Sequence, residues 1–148
     1  LFFSVVGMVY DRAHTRDIAS LGGMIKKMPW AAIGFIIGGL VSMGMPGFSG
    51  FVAEFPIFMG AWQTAPVVAI IAILGVILTA AYILLTIRRV FFGELPENLT
   101  NISDISWRDK LVIGVLSLVM IAVGIFPSLL TTMIDSGVTS ILALLGGA

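Results

Sequence analysis

No cysteine occurs in the sequence. That excludes a disulfide framework, a thiolate-bound metal and cysteine-held iron–sulfur clusters. A single histidine, His14, leaves no metal-ligand cluster to build. Charge is scarce too: Asp, Glu, Lys and Arg make up 11% of the 148 residues, where a soluble domain carries about 25%. The eight basic and eight acidic side chains cancel, so no cationic surplus is available to hold nucleic acid. Hydrocarbon fills the space instead. Apolar residues reach 59% and mean hydropathy is +1.12. A soluble fold of this length has too little interior to hide that surface. The solvent is lipid, and the fold class expected is an all-α, polytopic integral membrane helix bundle.

The chain opens on "LFFSVVGMV", about nine apolar residues before Tyr10 and Asp11. A bilayer crossing needs about 20 residues, and the run lacks the basic flank and cleavage site of a signal peptide. Residues 1–10 therefore read as the end of a span, and the chain as the C-terminal part of one longer transmembrane domain. Residues 30–62 read as an interrupted span, 67–87 as a continuous one, and 109–126 as another that stops at Pro127. In the remainder, 128–148, Leu130, Ile134, Val138, Ile141 and Leu145 recur at helical spacing with polar residues between them. That pattern predicts an amphipathic helix lying along the membrane surface.

All eight Lys and Arg fall in two places: Arg12, Arg16, Lys26 and Lys27 in the first loop, Arg88, Arg89, Arg108 and Lys110 around the second. Basic loops stay on the cytoplasmic side, so loops 11–29 and 88–110 are both expected there. Were 30–45 and 51–62 two crossings, these loops would face opposite sides. As two halves of one crossing they put both loops in the cytoplasm and the neutral "QTAP" turn outside. Each half, about 24 and 18 Å of helix, is shorter than the ~30 Å hydrocarbon core.

The interruption itself is "GMPGFSGFVAEFP", residues 44–56. Pro46 removes a donor, and Gly47 and Gly50 permit a turn. Ser49 is expected to cap the second half-helix. Pro56 is best tolerated in a first turn, which would place Glu54 there as well. Irregular backbone survives at membrane depth only where it is buried in protein or lines a polar cavity. Glu54 is the only ionisable side chain deep in an apolar block. A helix N-terminus favours its charged form, and lipid burial favours its neutral form. A charge near mid-membrane costs about 2.5–3.5 kcal/mol on the insertion scale, and such groups usually mark ion or proton paths. A proton carrier is the functional reading; a neutral Glu that merely satisfies freed backbone groups is the plain one. If Glu54 is ionised, its counter-charge must come from outside this stretch of chain.

Two segments, "YDRAHTRDIASLGGM" and "SMGMPGFSGFVAEFPIFMGAW", carry a resemblance. They are similar to the antiporter-like subunit M (chain 4 type) family of bacterial NADH–quinone oxidoreductase, complex I. The resemblance covers the whole chain, and its core, "GMPGFSGFVAEF", is specific. It implies a broken twelfth span whose acid, Glu54 here, belongs to a proton-translocating chain. It also implies a bacterial inner membrane, neighbours of the L and N type, and NADH, FMN, Fe–S clusters and quinone held by partner subunits. No cofactor is then expected in this chain. Mrp-type cation/proton antiporter subunits and subunits L and N typically carry Lys at the Glu54 position, so Glu favours the M type. Membrane subunits of energy-converting hydrogenases share the architecture and stay open as an alternative.

Lesser candidates accompany Glu54. His14 is read either as a proton relay or as a loop residue fixing the end of the first helix through Asp11 or Asp17. Arg16 is expected to pair with Asp17. Tyr10 and Trp30 are expected to be interfacial anchors. Gly34 and Gly38 have the spacing for close helix packing, and Ser42, Ser49 and Thr79 are candidates to hold water near Glu54.

Overall fold

The computed structural model describes residues 1–144 and residue 146. Six helices follow in order: α1 (Phe2–Ala13), α2 (Pro29–Ser42), α3 (Ser49–Thr64), α4 (Pro66–Phe91), α5 (Trp107–Ile125) and α6 (Ser128–Leu144). No strand occurs among the described residues. One helix, α4, is by itself long and apolar enough to cross a bilayer; α5 and α6 reach that measure only together, across a 68° bend. The bend falls at Phe126–Pro127, where proline lacks the N–H to continue the helix.

The core gathers at one end of the bundle. Val5, Met8 and Val9 of α1, Ala31 and Ala32 of α2, Val90 and Phe91 of α4 and Ile113 of α5 enclose the loop residues Leu21, Met24, Met28, Leu99 and Ile105. The two polar loops thus fold onto each other, tied by the Gly23 N–H donating to the Phe92 carbonyl at 3.2 Å. This is why α4 runs past Arg88 and Arg89 to Phe91: the last turn is buried, and both arginines sit where the helix dipole favours cations.

Glycine lets the helices close up. A methyl on Gly34 would stand 3.0 Å from Ile113 and 3.2 Å from Val5; one on Gly38 would stand 3.3 Å from Phe2. The two glycines of "GFIIG" therefore pack α2 against α5 and α1. The start of α5 is set by a capping box. Ser106 Oγ accepts from the Asp109 N–H at 3.3 Å, and Asp109 Oδ2 accepts from the Ser106 N–H at 3.1 Å. The same carboxylate meets Arg12 of α1 at 3.5 Å, joining the loop ends of α1 and α5. Along α6, Leu130, Ile134, Val138 and Ile141 follow one another at helical spacing. Leu145 lies outside the described residues.

Candidate functional site

Helix α2 stops at Ser42 because the chain turns left-handed at Gly44, φ +66°. The Gly44 N–H donates to the Val41 carbonyl at 3.1 Å and the Met45 N–H to the Leu40 carbonyl at 3.1 Å. This is a Schellman cap, which satisfies two terminal carbonyls and needs glycine at the turning residue. The cap uses up Met43–Met45, so α2 ends three residues before the sequence pattern suggested. Helix α3 starts at Ser49, with extended Phe48 as its N-cap and no capping side chain. The expectation that Ser49 caps is corrected: capping requires non-helical backbone, and Ser49 is already the first helical residue.

The half-helices lie partly side by side. Gly50, in the first turn of α3, sits directly against the Val41 carbonyl in the last turn of α2, leaving no room for a Cβ. On the other side, the Cα of Gly124 in α5 faces the Gly47 carbonyl and the Phe48 Cα. Backbone therefore hems in the break from two directions.

Glu54 and Pro56 are the sixth and eighth residues of α3, so neither is in its first turn. The helix tolerates Pro56 inside it at the loss of the bond to the Val52 carbonyl. From its second-turn position Glu54 reaches back over the break. Its Oε2 would be 2.9 Å from a methyl placed on Gly44, so the carboxyl group lies on the cap of α2. It opens into a cavity of about 210 Å³ lined by Met43, Phe51, Phe58, Ile73 and Val76, in which it is the ionisable group.

Gly44 makes a sharp test of this contact. Gly44→Ala should strain the left-handed turn by about 1 kcal/mol and push the carboxyl group off the cap. On the reading of Glu54 as a proton carrier, the expected result in the full-length protein is normal assembly with coupled proton uptake reduced severalfold, read in inverted vesicles; parent-level uptake would show that the contact does not matter.

The remaining candidates fall elsewhere. Ser42, Ser49 and Thr79 do not line the Glu54 cavity, and the Thr79 hydroxyl donates to the Gly75 carbonyl one turn back at 3.0 Å. His14 is at the loop end: it is the left-handed C-cap of α1, its N–H donating to the Tyr10 carbonyl at 2.8 Å. Val76 of the cavity is fifteen residues, about 22 Å of helix, from the loop end of α4 at Phe91, so His14 and Glu54 are not brought together. Arg16 stacks over the Tyr10 ring at 4.6 Å. Asp17 instead binds Ser20 Oγ at 2.8 Å and the Ala19 N–H at 3.2 Å. Those bonds, the Ser20 one first, lower the Asp17 pKa. The expected Arg16–Asp17 pair is thus replaced by three local contacts. Trp30 is half-exposed, with Lys110 Nζ 5.6 Å from its ring.

Sequence reasoning passed over two residues of α5, Gly124 and the buried Ser117. A glycine in an apolar helix does hint at close approach. Gly114, in the same helix, has open space around it, so the hint could not have singled out Gly124.

Residues 1–80 match the family described as NADH:quinone oxidoreductase/Mrp antiporter, TM. The chain is 44% identical over 137 residues to NADH-quinone oxidoreductase subunit M of Rhodobacter capsulatus, covering 92% of this chain and 27% of that protein. Among solved structures, respiratory complex I from Thermus thermophilus with bound NADH superposes with a TM-score of 0.76 at 31% identity, over 83% of this chain and 26% of the matched one. A chain of the Mrp complex from Dietzia sp. DQ12-45-1b shares the fold, with a TM-score of 0.75 at 22% identity over 86% of this chain and 32% of that one.

Proposed function

This chain belongs to the NADH:quinone oxidoreductase/Mrp antiporter transmembrane family, and from that premise we propose that it is part of a proton-translocating subunit of an NADH–quinone oxidoreductase. It is an integral membrane protein. One observation above all supports the reading: Glu54 is laid on the cap of a broken helix, as the ionisable group of an otherwise apolar cavity. A carboxyl group has the chemistry for that role. Protonated, it donates a hydrogen bond; ionised, it accepts from water or an N–H. Moving between these states, Glu54 carries a proton past the point where α2 and α3 part.

In this reading α2, the break and α3 make one interrupted crossing of a bacterial inner membrane. Both basic loops face the cytoplasm, residues 63–66 face outward, and α6 lies along the surface. NADH, flavin, iron–sulfur clusters and quinone belong to partner subunits, and this chain carries no redox step. Its neighbours are other antiporter-like membrane subunits. His14 stays at the cytoplasmic entrance as an exposed loop residue, too far from Glu54 to exchange a proton directly.

A cation/proton antiporter of the Mrp type is the second reading, favoured by the shared fold. Removing the full-length protein from native membranes separates them. The first reading requires that NADH-driven acidification of inverted vesicles be lost while NADH oxidation by an artificial acceptor persists. Loss of sodium/proton exchange with NADH-driven acidification untouched would favour the second. If neither activity changes, both are wrong.

A further inference from the structure

Helical hydroxyl groups in this protein generally bond to their own backbone: Thr64, Thr79, Thr86 and Thr139 each donate to the carbonyl four residues earlier. Ser117 does not. It is 7% exposed, and its Oγ is the buried side-chain polar atom left without a partner among the described residues. Its neighbours along α5 fix where it points. Ile113, one turn earlier, packs on Gly34 of α2 in the same buried cluster as Val5 of α1, and Gly124, two turns later, packs on the break at Gly47 and Phe48. At about 100° per residue, Ser117 and Gly124 lie about 40° and 20° around the helix from Ile113. All three face the interior. Ser117 stands about 12 Å along the axis from Asp109 at the loop end and about 10 Å from Gly124 at the break.

We propose that Ser117 holds an internal water and is a positioning residue on the proton route between the loop end of α5 and the broken helix. This rests on the reading of Glu54 as a proton carrier. A buried hydroxyl with no protein partner is destabilising, and internal waters gather at such groups. The gap between the loop end and the break is too long for a direct proton hop, so a polar group midway on an apolar helix has a role there. The hydroxyl fixes that water by donating one hydrogen bond and accepting another, so the proton passes along water while Oγ keeps its own proton and stays neutral.

The test compares Ser117→Ala, Ser117→Thr and Glu54→Gln in the intact complex in native membranes. Ser117→Ala is expected to assemble and to lower coupled proton uptake by about tenfold, the effect of one lost hydrogen bond in a transfer step. Ser117→Thr keeps the hydroxyl and should recover most of the loss. A larger solvent deuterium effect on uptake in Ser117→Ala would mark a proton step, which a packing defect would not move. Uptake at the parent rate in Ser117→Ala, with Glu54→Gln inactive, overturns the proposal alone. Parent-level uptake in Glu54→Gln overturns the proton-carrier reading and this proposal with it. Should Ser117→Ala fail to assemble, a high-resolution map of the parent decides. Ordered water within about 3 Å of Oγ supports the proposal, and a bond from Oγ to the Ile113 carbonyl or another side chain overturns it.

Discussion

If Glu54 carries protons as proposed, replacing it with Gln should leave the intact protein assembled and reduce NADH-driven proton uptake by at least about a hundredfold, the scale on which a proton-transfer group acts. Gln keeps the volume and planar end of the side chain, so the contact with Gly44 and the cavity lining survive. What it loses is the ability to release and regain a proton. In tightly coupled membranes, NADH oxidation should fall with it. Glu54→Asp keeps the chemistry but withdraws the carboxyl group by one methylene from the α2 cap, so it should recover part of both activities. Uptake into inverted vesicles, measured beside NADH oxidation and native-gel assembly, separates these outcomes. A Gln variant that pumps like the parent would make the acid a structural hydrogen-bonding group, and the broken helix would need another explanation.

The break was legible because its cause is local. Pro46 and Gly47 each act on the backbone through their own covalent geometry, the proline by lacking a donor and the glycine by its φ of +94°, and that can be read one residue at a time. Gly34 and Gly38 were legible for a related reason: small residues four apart have few uses in an apolar helix other than close packing. Where the expectations failed, a partner other than the one the local pattern suggested had decided. Ser49 is a good cap by composition, yet the overlap of Gly50 with Val41 draws Ser49 into the helix. Arg16 beside Asp17 reads as an ion pair, but the ring of Tyr10 and the hydroxyl of Ser20 are better placed for each. The two loops read from sequence as basic and cytoplasmic. Their apolar members Leu21, Met24, Leu99 and Ile105 are instead buried between the ends of four helices. Nothing in a single segment reveals such mutual burial, because the apolar partner of each loop lies in the other.

Gly124 carries this point furthest, and Gly124→Val should be among the most damaging single changes in α5. Its neighbours across the contact are the Gly47 carbonyl and the Phe48 Cα, both backbone, so no rotamer change can make room. Overpacking a core normally costs about 1–3 kcal/mol, and the upper end applies where only whole-helix movement can relieve the clash. Such movement pries α5 from the break and shifts Phe48, the N-cap of α3. Glu54 rides on that helix, so its seat on Gly44 moves too. The expected result is a strong loss of assembled protein on native gels and, on the proposed function, few protons translocated per NADH oxidised by the complex that remains. Gly114→Val is the control. It adds the same bulk to the same helix where nothing lies within 4 Å of the new Cβ, and it should assemble as the parent does. If both variants behave like the parent, α5 does not clamp the break. If both fail alike, added bulk on α5 is the cause and the backbone contact has no special part. Failure of Gly124→Val alone would assign α5 the task of holding the two half-helices in the register that brings Glu54 onto the α2 cap.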